Sequence, residues 1–306
     1  MHKVSLIIPT LNAGPHLPAL REALDAQRRR PDEVVVVDSS STDDTAATCR
    51  SYGWRVHEIR REEFDHGGTR NLGASLAAGS ILVYLTQDAL PADEQWLEAL
   101  VAPVAAGASA ASFSRQLPRP DATVLERYAR LHNYPDASHV RTLADADRLG
   151  VRATFFSNVS SATDRRVFES VGGFPTRTII NEDGQYAAKL LAAGHKVAYV
   201  AESRVVHSHD YPLSLQFRRN FDIGVSHAQA EGLLRRVGTT SAGLSFVRGQ
   251  LSYALAEGSA ADALRVLVEA ATKFTAFHLG RRHELLPLPL RRRFSWHRAY
   301  WSRDAG

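Results

Sequence analysis

The chain of 306 residues, 44% of them hydrophobic, is long enough for one large α/β domain with a smaller appendage. Its formal net charge of +4 is unevenly placed, because residues 281–306 hold seven Arg against Glu284 and Asp304 and leave about −1 for the rest. This distribution argues against a nucleic-acid surface spread over the main domain, since such surfaces concentrate Lys and Arg where phosphates lie.

The sequence also bears on the compartment. Cys49 is the one cysteine and cannot form an internal disulfide, which suits a reducing compartment. The alternative is that Cys49 is an ordinary small apolar residue of the core. The first apolar run, residues 4–8, is too short for the core of a signal peptide. No stretch approaches the roughly eighteen apolar residues that a membrane-spanning helix requires. We therefore expect a cytoplasmic protein with peripheral membrane contact at most.

The first hundred residues alternate strands and helices. Strands are predicted at 4–8, 33–37, 56–59 and 81–85, and helices at 16–27, 45–52 and 71–78. This order predicts an α/β fold with a doubly wound, mostly parallel, Rossmann-like sheet. Ligands of such sheets bind beyond the carboxyl ends of the strands.

The second half of the chain is less regular at first. Residues 112–152, with three prolines, predict helical excursions around an acceptor cleft, and after them come helices at 165–171 and 185–193 and strands at 196–200 and 203–207. We predict a catalytic domain over 1–225, with a nucleotide-binding half (1–110) and an acceptor half (111–225). A helical, basic C-terminal extension would cover 226–306.

Polar residues follow the first predicted strands. Asp38 ends a strand and opens a Ser/Thr/Asp-rich turn, where a carboxylate can accept from a nucleobase or a ribose hydroxyl. A helix cap would use the same residue types, but Pro9 and Thr10 at the neighbouring strand end favour ligand binding. Arg70 could bind a diphosphate bidentately from the start of the next helix. A tight turn with a solvated Arg fits that segment equally well.

Two further places offer metal ligands and a base. Asp88 ends a strand, and Mg²⁺ or Mn²⁺ takes one or two protein carboxylates and completes its shell with phosphate and water. His207 and His209 lie two apart in an extended segment, so one of them, preferably His207, could meet the same ion. Ordinary histidines are the alternative. Asp183, just before a helix, could accept a proton from an attacking hydroxyl or simply cap that helix.

A series of short motifs along nearly the whole chain resembles glycosyltransferase family two, of GT-A fold, and within it the bacterial rhamnosyltransferases that build O-antigen and other surface polysaccharides. The motifs are SLIIPTLN (5–12), VDSSSTD (37–43), FDHGGTRN (64–71), LTQDA (85–89), SRQLPR (114–119), NYP (133–135), FSN (156–158), NED (181–183) and HSH (207–209). In the family the segment at 86–88 commonly reads Asp-x-Asp. Here it reads Thr86-Gln87-Asp88, a form that rhamnosyltransferase-like members often carry.

The resemblance implies a role for each of these residues. The nucleotide sugar would be held by Pro9, Thr10, Asn12, Asp38, Ser40, Arg70, Asn71, Gln87 and Asp88, with Arg70 near the donor phosphates. The divalent ion, Mg²⁺ or Mn²⁺, would be bound by Asp88 with His207 or His209. The catalytic base would be Asp183, next to Glu182, and the acceptor would meet Asn158 and Arg115.

The expected activity is transfer of a sugar, L-rhamnose from dTDP-L-rhamnose, to an acceptor hydroxyl during O-antigen or exopolysaccharide synthesis. The ion and Arg70 would stabilise the leaving diphosphate, and one displacement assisted by Asp183 would invert the anomeric carbon. Two alternatives stay open. A nucleotidyltransferase would need a glycine-rich, basic phosphate loop, of which residues 10–14 supply little. A nucleotide-sugar-binding module without turnover would not need Asp183.

The C-terminal segment suggests a surface contact. Apolar residues recur at helical spacing over 264–279, and then arginines alternate with Phe294, Trp296, Tyr300 and Trp301. Arginines interleaved with aromatics suit anionic lipid, so residues 264–301 predict peripheral contact with the cytoplasmic face of the inner membrane. A homo-oligomer interface, or a helix packed back on the catalytic domain, is the alternative.

Overall fold

The computed structural model describes residues 2–230, 232 and 240–302, and contacts divide the chain into two compact units. Unit 1 contains Met1–Leu117, Tyr134–Thr176 and Glu182–His207. Unit 2 contains Pro118–Asn133, Arg177–Asn181 and Ser208–Gly306. The domain bounds inferred from the sequence stay a prediction.

Unit 1 is built on a sheet that comprises, among the described residues, nine strands. They are β1 (Val4–Thr10), β2 (Glu33–Asp38), β3 (Arg55–Glu58), β4 (Ile81–Leu85), β5 (Leu90–Pro91), β6 (Ala111–Leu117), β7 (His139–Arg141), β8 (Ser160–Asp164) and β9 (Val197–Val206). The order is β3-β2-β1-β4-β8-β6-β9-β5, and β7 pairs with β9. The four strands β3, β2, β1 and β4 are parallel, as are β6 and β9. β8 is antiparallel to β4 and β6, its two neighbours. The predicted α/β class is confirmed.

Helices of unit 1 connect these strands. They are α1 (Leu17–Asp25), α2 (Thr45–Ser51), α3 (His66–Leu76), α4 (Trp96–Ala105), α6 (Asp145–Leu149), α7 (Arg165–Ser170) and α8 (Glu182–Ala192), with 3-10 turns at Arg61–Glu63 and Gly150–Thr154. Leu6 of β1, Val83 of β4 and Trp96 of α4 are fully buried in one apolar cluster. Central parallel strands are covered on both faces, which is why β1 and β4 read as continuous apolar runs.

Helix α3 begins at His66, earlier than the predicted start at residue 71. The glycines expected to form a turn before the helix are its first turn, capped by the Asp65 carboxylate, which accepts from the Gly68 amide at 2.7 Å. At Gly67 a Cβ would lie 2.0 Å from the Pro175 carbonyl oxygen, so this position requires glycine. The helical propensity of the segment is poor, and this cap with its close packing outweighs it.

Residues 112–152 were predicted as helical excursions, and this is wrong at their start. They begin in β6, a central strand whose inner face carries serines rather than apolar side chains. Ser114 Oγ lies 2.6 Å from Ser160 Oγ and 2.7 Å from Ser203 Oγ, so the buried face is satisfied by hydroxyl pairs. The two strands predicted at 196–200 and 203–207 are one, β9, which passes a register shift opposite β6.

Unit 2 is helical. Its helices are α5 (Val124–Asn133), α9 (Leu213–Ala228), α10 (Thr240–Glu257), α11 (Ala260–Arg281) and α12 (Leu288–Phe294), with 3-10 turns at His283–Leu285 and Arg298–Ser302. Phe221 and Val225 of α9 pack against Ala276 of α11 and against Trp301. Trp301 is therefore a core residue of unit 2 rather than a lipid contact as predicted. Among the described residues, no helix combines the length and apolar character needed to span a bilayer.

Candidate active site

The ends of β1 and β2 place the proposed nucleoside residues side by side. Thr10 pairs with Asp38 in the parallel register, and Thr10 Oγ1 donates to Asp38 Oδ1 at 2.8 Å. The Ser41 amide donates to Asp38 Oδ2 at 2.9 Å, and the Ser41 hydroxyl donates to Oδ1 at 2.5 Å. Asp38 is only 1% exposed. The carboxylate is thus held by three donors at the carboxyl end of the sheet, with half-buried Pro9 beside it.

Two residues of the adjoining loops adopt left-handed backbone. Asn12 has φ 51° and Ser40 has φ 59°. Asn12 Oδ1 accepts from the Thr42 amide at 2.8 Å, and Ser40 Oγ donates to the Ile59 carbonyl at 2.8 Å, so each side chain stabilises its own strained position. Such backbone is uncommon outside glycine and concentrates at functional sites. The left-handed backbone favours a functional role for both residues, and their binding of the nucleotide stays a prediction.

Gln87, just after β4, forms hydrogen bonds with the backbone just after β1. Its Oε1 accepts from the Leu11 amide at 2.8 Å, and its Nε2 donates to the Leu11 carbonyl at 3.1 Å. A carboxylate could accept from the amide but could not donate to the carbonyl. At the middle position of the segment that commonly reads Asp-x-Asp in the family, this chain therefore has a side chain that joins two strand ends.

Asp88 and His207 form the candidate metal pair of unit 1. His207 Nε2 lies 3.6 Å from Asp88 Oδ2, and the other ring nitrogen, Nδ1, lies 3.0 Å from Gln116 Oε1. The His207 amide donates to the Leu117 carbonyl at 3.0 Å, which continues the pairing beyond β9. A carboxylate oxygen and an imidazole nitrogen at this separation can bind one divalent ion together. His209 belongs to unit 2.

Glu182 and Asp183 form the first turn of α8, whose start the sequence placed at residue 185. The Glu182 carboxylate is buried against Arg70, with Oε1 3.3 Å from Arg70 Nη1 and 3.2 Å from Asn158 Nδ2. Asp183 is half-buried; its Oδ1 accepts from the Gly184 amide at 2.8 Å and its Oδ2 from the Asn158 amide at 3.4 Å. Arg70 thus faces a carboxylate, and a role at the donor phosphates stays a prediction.

The two acids differ in protonation. Burial alone would raise the pKa of Glu182, but the Arg70 guanidinium, the His66 ring and the Asn158 amide lower it below its ordinary value. Burial and the neighbouring Glu182 charge raise the pKa of Asp183 from 3.8 to about 7. Two carboxylates with opposite shifts are the pattern expected where one of them exchanges a proton near neutral pH.

Residues 157–159 lie between the Asp88–His207 pair and the Glu182–Asp183 pair. Ser157 Oγ lies 2.9 Å from Gln116 Nε2, on the side of His207, and Asn158 contacts both acids of α8. The Val159 carbonyl accepts from the Thr86 amide at 3.0 Å, next to the Gln87-Asp88 pair. Both pairs therefore adjoin the segment that leads into β8, at the carboxyl end of β4.

The remaining predicted residues have defined surroundings. Asn71 makes a two-point contact with the Phe174 backbone, with Nδ2 2.9 Å from its carbonyl oxygen and Oδ1 3.0 Å from its amide. Arg115 is half-buried on β6, and its Nε has no hydrogen-bond partner among the described residues. The sequence did not reveal Gln116, although it stands next to Arg115 in the SRQLPR motif, because its partner His207 lies 91 residues further along the chain.

Comparisons with known proteins identify the family of this chain. Residues 5–172 match the family model described as glycosyl transferase family 2. The chain belongs to this family. It is 39% identical to the O-antigen chain rhamnosyltransferase RfbN of Salmonella typhimurium, over 98% of this chain and 96% of the relative. It is 37% identical to the O-antigen chain rhamnosyltransferase WbaN of Salmonella anatum, over 99% and 96%.

Solved glycosyltransferases share the fold. The mannosyltransferase PcManGT of Pyrobaculum calidifontis, in complex with GDP-Man and Mn²⁺, aligns with a TM-score of 0.60 at 21% identity, over 99% of this chain and 86% of that one. S. aureus TarS 1-349, in complex with UDP-GlcNAc, aligns with a TM-score of 0.55 at 17% identity, over 99% and 89%. Family and fold together make the chain a glycosyltransferase with the GT-A architecture.

Proposed function

We propose that this glycosyltransferase transfers L-rhamnose from dTDP-L-rhamnose to an acceptor hydroxyl in O-antigen or related surface-polysaccharide synthesis. The sugar is supported by the two Salmonella relatives, both named as O-antigen chain rhamnosyltransferases. The proposed chemistry rests on one observation: residues 157–159 contact both the surroundings of the Asp88–His207 pair and the Glu182–Asp183 pair. That arrangement supports one reaction centre with a cation site and a proton acceptor.

A divalent ion, Mg²⁺ or Mn²⁺, fits the donor atoms. Neighbouring ligands of one octahedral ion lie about 3 Å apart, and His207 Nε2 and Asp88 Oδ2 are 3.6 Å apart. His209 is proposed as a further ligand because it follows His207 by two residues. The ion, when bound, supplies positive charge against the leaving diphosphate.

Asp183 is proposed as the base. A pKa of about 7 lets the carboxylate accept a proton from the acceptor hydroxyl while remaining ionised in a large fraction of molecules at neutral pH. Arg70 holds Glu182 ionised, and the Glu182 charge in turn raises the proton affinity of Asp183. The hydroxyl attacks the anomeric carbon opposite the leaving group, so a single displacement inverts that carbon and no covalent intermediate forms.

A donor panel tests this function. Purified enzyme would be incubated with an acceptor glycan and dTDP-L-rhamnose, UDP-GlcNAc or GDP-mannose, or with a sugar 1-phosphate and a nucleoside triphosphate. Each mixture would contain Mn²⁺ or a chelator, and the nucleoside diphosphate or pyrophosphate released would be measured. Release from dTDP-L-rhamnose that the chelator abolishes is expected. Pyrophosphate release from the triphosphate would indicate a nucleotidyltransferase, and binding without release in any arm would indicate a binding module.

We also propose that unit 2 binds the cytoplasmic face of an anionic membrane. On α11 the apolar side chains Leu264, Leu267, Val268 and Phe274 repeat every three to four residues and are 42–64% exposed. Beyond them Leu285 is 80% exposed. A cavity of about 440 Å³ is lined by Pro289, Arg292, Arg293, Arg298 and Ala299. Exposed apolar side chains suit acyl chains, and clustered arginines in the same unit suit phosphate headgroups.

Vesicle sedimentation tests the membrane proposal. The protein should sediment with vesicles of phosphatidylglycerol and phosphatidylcholine but not with phosphatidylcholine alone. Phe274→Ser and the double change Arg292→Ser with Arg293→Ser should each reduce binding, whereas Leu131→Ser, an exposed leucine of α5, should leave it unchanged. Equal binding to neutral vesicles would overturn the proposal. Dimerisation that Phe274→Ser abolishes, without lipid binding, would assign the face to a second copy.

A further inference from the structure

Gln116 is a fully enclosed glutamine next to the candidate metal pair. It lies on β6 with 2% of its surface exposed. Its Oε1 is 3.0 Å from His207 Nδ1, and its Nε2 is 2.6 Å from the Tyr134 hydroxyl and 2.9 Å from Ser157 Oγ. Tyr134 and Ser157 are themselves buried. The amide group is therefore held from both ends.

The neighbours decide which end of the amide donates. Both hydroxyls can donate as well as accept, and Ser157 Oγ also accepts from the Val159 amide at 3.4 Å. With the amide reversed, its oxygen would face the two hydroxyls and its NH₂ would have only His207 Nδ1 as a partner among these three side chains. An amide NH₂ directed at Ser157 and Tyr134 satisfies both of its hydrogens, and the amide oxygen is then left facing His207. An acceptor at 3.0 Å from Nδ1 requires a hydrogen on Nδ1.

The distance on the other side of the ring agrees with this assignment. A charge-assisted N–H···O hydrogen bond is about 2.7–2.9 Å long, whereas His207 Nε2 lies 3.6 Å from Asp88 Oδ2. This is longer than expected if Nε2 carried a hydrogen directed at the carboxylate. Two ligands that share a cation need no such hydrogen bond.

We propose that Gln116 is a positioning residue that fixes His207 in the tautomer with hydrogen on Nδ1, so that Nε2 presents its lone pair on the Asp88 side. The inference rests on the proposed divalent-ion function, to which it adds the residue that prepares the imidazole ligand. Ligand histidines generally donate their second N–H to a fixed acceptor, which sets the ring orientation. Here a neutral amide, itself oriented by two hydroxyls, provides that acceptor.

Substitutions at Gln116 separate the acceptor from the bulk of the side chain. Gln116→Met keeps the length and removes the acceptor, and Gln116→Glu keeps the acceptor. The matched control is Gln27→Met, because Gln27 is also a buried glutamine, with Nε2 3.0 Å from the Ala23 carbonyl and 2.8 Å from the Asp93 carbonyl. It does not contact His207.

Two measurements are made on each full-length protein. Nitrogen-15 NMR of the histidine rings in metal-free protein at alkaline pH reports which nitrogen carries hydrogen, with the His207 signal assigned through His207→Asn. Electron paramagnetic resonance of free Mn²⁺ gives the dissociation constant. Gln116→Met should mix the tautomers and weaken Mn²⁺ binding about 10–100-fold. Gln116→Glu and Gln27→Met should retain the wild-type tautomer and bind Mn²⁺ within a few-fold of wild type.

The outcomes distinguish this inference from the proposed function. Hydrogen on Nε2 in the wild type, or an unchanged tautomer in Gln116→Met, would overturn the role of Gln116 even if Mn²⁺ binds. A wild type that shows the expected tautomer but binds no Mn²⁺ would support the role of Gln116 and reject the metal-dependent function. If Gln116→Met does not fold, the double change Tyr134→Phe with Ser157→Ala releases the amide and should also mix the tautomers.

Discussion

Replacing Asp183 with Asn is expected to stabilise the protein while removing its base. The carboxylate is ionised at pH 8, where it sits half-buried beside the Glu182 charge. Folding raises its pKa from 3.8 to about 7, so the folded state holds the proton more tightly than the unfolded state. Stability therefore falls as pH rises from about 4 to about 7, which is the sign expected for a carboxyl with a raised folded pKa.

The size of the effect follows from the pKa. One pH unit corresponds to about 1.4 kcal/mol, so a change from 3.8 to about 7 amounts to roughly 4 kcal/mol for the isolated group. Water reaches part of this side chain and neighbouring groups relax, so we expect Asp183→Asn to raise the free energy of unfolding by about 1–3 kcal/mol at pH 8. At pH 4 wild type already carries a neutral carboxyl, and the gain should vanish.

Urea unfolding at both pH values measures this difference. The control is Asp164→Asn, because the Asp164 side chain caps α7 by accepting from the Val167 amide at 3.0 Å. Asn caps a helix about as well as Asp, so this variant should stay within about 0.5 kcal/mol of wild type at each pH. An Asp183→Asn protein no more stable than wild type at pH 8, or equally stabilised at both pH values, would refute the assigned environment of Asp183.

Further predictions concern the same centre. Only the ionised Asp183 accepts a proton, so kcat/KM should fall as pH drops through about 7. Glu182→Gln removes a charge that raises the pKa of Asp183, so it should move this fall in kcat/KM to lower pH. An unchanged pH profile in Glu182→Gln would contradict the coupling of the two carboxyls. Asp88→Asn and His207→Ala should each weaken Mn²⁺ binding at least about tenfold, as read from the free-ion signal; binding equal to wild type in both variants rejects the pair. Gln87→Asp loses the two-point contact with the Leu11 backbone, so unfolding in urea should show a loss of about 1–3 kcal/mol; a variant as stable as the wild type would contradict the role of this contact.

Local sequence signals predicted the strands that are buried on both faces. β1, β2 and β4 consist of β-branched and aliphatic runs, and their bounds were predicted within two residues. β6 was missed because its buried face is satisfied by serine pairs, whose partners lie far along the chain. No periodicity reveals such pairing before the register of the strands is known.

The same limit applies to the site. Asp88 and Asp183 were predicted because strand ends and helix starts are where acids act. Arg70 faces Glu182 because α3 packs against α8. Gln87 contacts the Leu11 backbone because β4 lies beside β1. Those contacts change the interpretation of both side chains, and neither leaves a local pattern in the sequence.

The most direct test of the reaction centre separates donor binding from transfer. Wild type and Asp183→Asn would be compared for dTDP-L-rhamnose affinity by calorimetry and for single-turnover transfer to an acceptor glycan at pH 8 with Mn²⁺. We predict a donor dissociation constant within about threefold of wild type and a transfer rate lower by about 10²–10⁴, the range that a positioned base contributes. Transfer at the wild-type rate by a variant that binds donor normally would contradict the assignment of Asp183 as the proton acceptor.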